Sequence, residues 1–336
     1  MTPNDCPRIL LIQTAYIGDV ILATATLETL HHSYPCAQID VLIKKGNEGI
    51  FHKHPFVNYV HTWQKDKHKF INLIFLILII RKRKYTHIVN LHRHFSSGLI
   101  CALSAAKNIY GFDKNPFSFT YIHKAKHTFD NIHEVERNHS VVAPIAKSDI
   151  VPRPALYPHK YNFEKINLID AKPFITIAPA SVWHTKQWPA DKWVAFIDSV
   201  PKDYYIYLLG SKSDKSLCQN ILTATINKNT INYAGHLELL DTAALMSKAV
   251  MNYTNDSAPL HIAGAMNAPV CVVYCSTVPS FGFGPLSQIS YIVQTNDKLS
   301  CRPCGIHGKK SCPQTHFKCA TDIPIDKLLS VLNIKT

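Results

Sequence analysis

Tyr253-Thr-Asn-Asp-Ser-Ala-Pro-Leu-His261 lies between a short apolar run, Ala249-Val250-Met251, and a helical pattern over residues 260–266. The run predicts a strand entering the stretch, and the pattern predicts a helix leaving it. Asn255, Asp256 and Ser257 between them are good N-cap types, and Pro259 suits a first helical turn. A strand that breaks into a capped helix turns backbone N–H groups outward, with the positive end of the helix dipole behind them. That is a seat for a phosphate.

Working outward, the same alternation recurs. Residues 174–178, 204–209 and 270–274 read as strands, and 191–200, 215–226, 239–248 and about 326–332 as helices. In the first half, 8–13, 38–43, 59–62, 86–91 and 109–111 read as strands. Helices are expected from Gly18 to before Pro35, over an apolar run ending at Lys84, and over 96–106 and 133–146. Alternation of this kind argues for parallel sheets covered on both faces. It breaks over 148–172, where Pro152, Pro154 and Pro158 crowd together, so the linker is expected there. The expected organisation is two Rossmann-like domains, 1–155 and 156–336, facing a central cleft.

The chain has 336 residues, enough for two domains. Its apolar content of 46% argues against global disorder. A formal charge of +13 with 19 neutral histidines suits an anionic partner: nucleic acid, acidic lipid or a phosphorylated substrate. No signal peptide is visible, so the ten cysteines are expected to be free thiols in a reducing cytosol. The run 71–80 is apolar apart from Asn72, with Lys65, Lys67 and Lys69 before it and Arg81-Lys-Arg-Lys84 after it. A membrane span needs about 20 residues, so the run reads either as a buried crossover helix or as a helix that also rests on an anionic membrane face.

Ligands of open α/β sheets bind beyond the carboxyl ends of the strands. In the second half those positions hold Ser181, His184, Thr185 and Lys186, then Gly210, Ser211 and Asp214, then Asn255, Asp256, Ser257 and His261. A cation, hydroxyls, carboxylates and a helix N-terminus on one rim suit a nucleotide diphosphate. Each also has a plain alternative: Asp256 and Ser257 as caps, His261 as a core histidine, Lys186 as a solvated charge. The first half has no Gly-x-Gly-x-x-Gly and no Walker-type run, and offers mainly Asp19, which is either an N-cap carboxylate or a general base. Cys301-x2-Cys304-x7-Cys312-x6-Cys319 reads as a zinc site, as free thiols, or as a redox-dependent staple.

Three segments resemble the bacterial lipopolysaccharide heptosyltransferases, the ninth glycosyltransferase family: Gln13-Thr-Ala-Tyr-Ile-Gly-Asp-Val20, Pro179-Ala-Ser-Val-Trp-His-Thr-Lys-Gln-Trp-Pro189, and Asn255-Asp-Ser-Ala-Pro-Leu-His-Ile-Ala263. The similarity runs in order over nearly the whole chain. From Asn255 onward it is closer to the second heptosyltransferase of the inner core. The resemblance implies a GT-B fold and inverting transfer of heptose from ADP-heptose to a lipid-linked, Kdo-containing lipopolysaccharide core. It places the enzyme in the cytoplasm, peripheral to the inner membrane, with no nucleic acid as partner. By motif position Asp19 becomes the base that deprotonates the acceptor hydroxyl, and Ser181, Lys186, Asp214, Asp256, Ser257, Ala258 and His261 the donor site. The family usually has glycine at Ala258, which bears on donor preference. No Asp-x-Asp motif exists to hold a metal on the diphosphate, so no cofactor is expected for catalysis; zinc at the cysteine loop would be structural. Two alternatives remain: a transferase of the same fold with another nucleotide sugar or acceptor, and a basic nucleic-acid-binding protein with a zinc loop. The dispersed cations and the lack of a recognition module disfavour the second.

Overall fold

The computed structural model describes residues 6–65, 68–129, 131–167 and 172–333. Lys67 and residues 168–171 of the expected linker lie outside them. The chain divides into two compact units, Met1–Tyr157 and Pro158–Thr336.

In the first unit, β1 (Arg8–Gln13), α1 (Ile17–Ser33), β2 (Gln38–Lys44), β3 (Val57–Trp63), α2 (Lys69–Arg83), β4 (His87–Asn90), α3 (Phe95–Leu103), β5 (Asn108–Phe112), β6 (His123–Ala125) and α4 (Glu134–Val142) follow in order. The strands form a sheet ordered β3-β2-β1-β4-β5-β6, and every recorded pairing is parallel. Strand order reverses between β1 and β4, and the loops that leave these two strands open the crevice where such sheets take ligands. Both strands are almost wholly buried, because helices cover both faces.

The second unit contains α5 (Lys160–Asn167), β7 (Phe174–Ala178), α6 (Ala190–Ser199), β8 (Tyr205–Leu208), α7 (Lys215–Ala224), β9 (Thr230–Asn232), α8 (Leu239–Lys248), β10 (Met251–Asn255), α9 (Ala258–Ala265), β11 (Val270–Tyr274), β12 (Ser290–Gln294), α10 (Lys318–Thr321) and α11 (Asp326–Asn333). Its sheet, ordered β12-β11-β10-β7-β8-β9, repeats the first topology, with the reversal between β7 and β10. Trp188, Trp193, Phe196 and Tyr253 are buried in its core, the two tryptophan rings edge-on at 4.9 Å. Truncating one such ring costs about 3–5 kcal/mol.

Three expectations are corrected and one left open is narrowed. The strand expected at 249–251 occupies Met251–Asn255, so the first third of the opening stretch is strand. Its two asparagines are satisfied: Asn252 Nδ2 donates to the carbonyls of Met246 and Pro269, and Asn255 bonds on both sides. α5 forms within the expected linker because Asn162 Nδ2 donates to Asp241 Oδ1 at 2.8 Å and Lys165 pairs with the same carboxylate. The run at 71–80 is buried on one side only, at Leu73, Leu76, Ile77 and Ile80. Cys6 and Cys36 are bonded to each other rather than free, their Cα atoms 5.5 Å apart, which is ordinary spacing for such a bridge.

Candidate active site

In the second unit the loop after β7 and the loop after β10 meet across the reversal. Lys186 Nζ lies 2.6 Å from Asp256 Oδ2, with both side chains largely buried. Thr277 Oγ1, after β11, donates to the same oxygen at 2.6 Å. Asn255 ties the two loops together: its Oδ1 accepts from Trp188 N at 3.0 Å, and its Nδ2 donates to the Pro179 carbonyl at 2.7 Å. Ser181 sits in the same loop, where its carbonyl accepts from Gln187 Nε2 at 2.6 Å.

Ser257 is the N-cap residue of α9, but its side chain makes no capping bond. Ala258 occupies the first helical position and Pro259 the second. Pro259 has no N–H, and Leu260 N donates to the Ser257 carbonyl at 3.0 Å. The amides of Ser257 and Ala258 are thus the ones at the mouth of the helix, fewer than a regular N-terminus offers. His261 is buried one turn in, its ring 6.3 Å from that of Phe283. Asp214 stands apart. Its Oδ2 accepts from Ser211 N and Ser211 Oγ at 2.8 and 2.7 Å, so the carboxylate caps its own turn.

The cysteine-bearing tail has a role that the sequence did not reveal. Arg302 donates to the carbonyls of Cys275 and Thr277 at 2.7 and 2.8 Å, and to Gln294 Oε1 at 2.8 Å. Cys304 N donates to the Ser276 carbonyl at 2.8 Å. Lys309 N donates to Thr185 Oγ1 at 2.7 Å, and Thr185 N donates back to the Lys309 carbonyl at 3.1 Å. Gly308 has φ +74°, and a Cβ there would stand 2.9 Å from Lys186 Cγ and 3.0 Å from Thr185 Oγ1. The tail is therefore a strap that fixes the backbone carrying Lys186. Contacts 124 residues apart leave no local signal in sequence.

Cys301, Cys304, Cys312 and Cys319 do converge. With His316 they line a cavity of about 370 Å³. Burial pushes the Cys319 thiol up to about 11, with the thiols of Cys304 and Cys312 adding to the shift. Among the described residues, however, no group of three or more His, Cys, Asp or Glu could hold a metal ion as placed. The thiols share a cavity without closing on a common point.

In the first unit Asp19 is the third residue of α1, whose N-cap is Tyr16, so Asp19 is not the cap. A carboxylate in a first turn is favoured by the dipole. Asp19 faces company that the sequence reading passed over. Burial raises the Glu134 carboxyl to about 7; Arg137 opposes the shift, Asp19 adds to it, and Arg93 also lowers it. Glu134 is ion-paired with Arg137. His92 Nδ1 lies 3.2 Å from Thr14 Oγ1, and Lys65 Nζ donates to the Thr14 carbonyl at 2.6 Å. Burial drives His92 down to about 3, with His94, Lys65 and Arg93 assisting, so the imidazole is neutral at physiological pH. Burial lowers His94 as well, with Lys65, Arg93 and Lys69 assisting. Asp19 thus acts on Glu134, which is paired with Arg137, while Lys65, Lys69 and Arg93 gather around His92 and His94. His92-Arg93-His94 directly follows β4, so the search applied to strand ends in the second half would have found it here.

Residues 76–313 match the profile of glycosyltransferase family 9 (heptosyltransferase), 238 of the chain's 336 residues. The chain belongs to glycosyltransferase family 9. It is therefore a glycosyltransferase. It is 27% identical over 285 residues to lipopolysaccharide heptosyltransferase 3 of Escherichia coli K12, covering 78% of this chain and 80% of that one. The solved family 9 structure from Veillonella parvula superposes with a TM-score of 0.86 at 19% identity, over 98% of both chains. The E. coli ADP-heptose lipopolysaccharide heptosyltransferase II structure superposes with a TM-score of 0.80 at 20% identity, over 98% of this chain and 99% of that one. Two Rossmann-like units of this kind constitute the GT-B fold class expected from the sequence. The resemblance to type II is met in fold. Sequence relatives include enzymes of type 3 and of type 2.

Proposed function

We propose that the chain transfers heptose from ADP-heptose to the inner core of a lipid-linked, Kdo-containing lipopolysaccharide, with inversion at the anomeric carbon, at the cytoplasmic surface of the inner membrane. The observation that carries this reading is the buried Lys186–Asp256 pair at the sheet reversal of the second unit. An ammonium held there by a carboxylate, itself fixed by the Thr277 hydroxyl, is placed in advance for a diphosphate leaving group. One preorganised donor of this kind contributes about 3 kcal/mol to a transition state that gains negative charge. The amides of Ser257 and Ala258 would add to it, and Asp256 Oδ1 offers an acceptor for a hydroxyl of the donor. Ser181, on the loop that carries Lys186, and His261, one turn into α9, would complete the donor site. Asp214, spent on its own turn, contributes least.

On the acceptor side, Asp19 takes the proton of the attacking hydroxyl. Attack on the face opposite the diphosphate inverts the anomeric centre. Lys65, Arg93 and Arg137 in the same unit suit an acceptor that carries carboxylates and phosphates. The relatives' names, ADP-heptose and lipopolysaccharide heptosyltransferases, support the donor and acceptor classes.

Calorimetric titration with ADP-, UDP- and GDP-sugars tests the donor, and ADP release with a Kdo-containing acceptor tests the transfer. Asp19→Asn is expected to retain ADP-heptose affinity and lose turnover by about 10²–10⁴-fold. Preference for UDP or GDP would refute the donor, and near-wild-type turnover in Asp19→Asn would remove Asp19 as base.

A further inference from the structure

Helix α2 is apolar on all sides, yet only one side packs inward. Leu73, Leu76, Ile77 and Ile80 enter the core with Leu10, Ile12 and Ile100. On the opposite side Phe70, Ile71, Ile74, Phe75, Leu78 and Ile79 are 49–76% exposed. A helix that is apolar all round is normally enclosed by protein or lipid. At about 1.5 Å per residue its 15 residues span roughly 22 Å, short of the ~30 Å hydrocarbon core. No helix among the described residues is long and apolar enough to cross a membrane.

Charge decides the partner. Lys69 opens the helix, and exposed Arg81, Lys82 and Lys84 close it. Arg81 also donates to the Leu103 carbonyl at 3.2 Å, which brings half-exposed Leu103 alongside the apolar face. From Lys67 to Phe112 the sequence has eight Lys or Arg and no Asp or Glu. A second copy docked face to face would bring like charges together at both ends of the helix, whichever way it ran. An anionic bilayer accepts both features: the side chains enter the interface while the cations reach the phosphates.

We infer that the outward face of α2 lies flat in the interface of an anionic membrane and is the membrane-docking surface of this enzyme. Lys69, the first residue of the helix, and Lys65, four residues before it, act with Arg93 on His94 at the rim after β4, an imidazole that burial lowers most. A docked helix would therefore hold that rim next to the headgroups, where a lipid-linked saccharide emerges. This deepens the proposed function on the acceptor side. Binding is read without turnover, so a wrong donor or acceptor leaves it standing.

The test is co-sedimentation of the full chain with phosphatidylcholine vesicles, with and without phosphatidylglycerol. Binding is expected to rise at least about tenfold with the anionic lipid and to fall steeply with added salt. Ile74→Glu/Leu78→Glu, both exposed, is expected to lose binding about tenfold or more while its circular dichroism and its rate on a delipidated, soluble acceptor are unchanged. Arg81→Gln/Lys82→Gln is expected to remove most of the phosphatidylglycerol dependence. Equal binding to both vesicle types, or undiminished binding by the Glu variant, overturns the inference. So does a wild-type dimer in light scattering that the Glu variant abolishes, because the face would then belong to a second copy.

Discussion

Lys186 has two jobs to separate: neutralising a buried carboxylate and serving the donor. In Lys186→Met the stem is kept and the charge lost. Asp256 is only 6% exposed on its side chain, and would keep only the Thr277 hydroxyl beside Oδ2. Removing one member of a buried pair costs about 3–5 kcal/mol, because the remaining charge is uncompensated. Loss of one charge-stabilising donor lowers turnover by about 10²–10³-fold. Lys186→Met therefore falls in both stability and activity, and cannot alone tell the roles apart. Lys186→Met/Asp256→Asn can. The double variant removes both charges at nearly constant volume, so urea unfolding should recover most of the stability lost in the single variant. If Lys186 serves the diphosphate, turnover and calorimetric ADP affinity stay low in the double variant. If the double variant recovers turnover with stability, the pair is structural and the phosphate role is wrong.

The strap over the donor loop gives a second expectation. Gly308→Ala places a Cβ 2.9 Å from Lys186 Cγ at φ +74°, and is expected to weaken ADP binding several-fold, with a stability loss of about 1–2 kcal/mol. Gly305→Ala is the control: it has φ +83° with nothing within 4 Å, so it should show the stability loss with donor affinity intact. Equal ADP binding by both variants would refute the coupling. His54 is lowered to about 4 by burial, with the His31 charge assisting. Its unfolded form binds a proton below about pH 6.5 and its folded form does not, so it lowers stability as pH falls from 6.5 to 4. His54→Gln should reduce that slope by up to about 1.4 kcal/mol per pH unit in urea titrations; an unchanged slope would show that His54 protonates in the folded state. The cysteine cavity, unclosed as placed, is expected to carry no stoichiometric metal in reduced protein analysed by plasma mass spectrometry. One zinc or iron per chain would show that the four thiols draw together.

Much of the fold was legible because its strands are short, buried and bounded by breakers. β1, β7 and β11 fall where apolar runs put them. β10 was misplaced because it is polar: Asn252, Thr254 and Asn255 look like loop until the partners of the two asparagines are seen. α5 escaped because its sequence is weakly helical and its stability comes from Asp241, 76 residues away. At the site, Lys186 and Asp256 were visible as polar residues after strands, and the structure pairs them. Asp214 was visible on the same rule and turned out to cap its own turn. The basic groups around His92 and His94 were missed for want of a glycine fingerprint, although His92-Arg93-His94 stood in the equivalent place.

The indole of Trp188 adds a consequence for anyone building hybrids of this family. Its Nε1 donates to the Ala320 carbonyl at 3.1 Å, and its backbone is held by Asn255. Segments near 185, 255, 305 and 320 thus behave as one cassette. Swapping the 179–189 loop alone between family members would strand it without its fastening, so donor specificity should travel only when the C-terminal thirty-odd residues are exchanged with it. The emission of that buried indole would report at once whether the graft had seated.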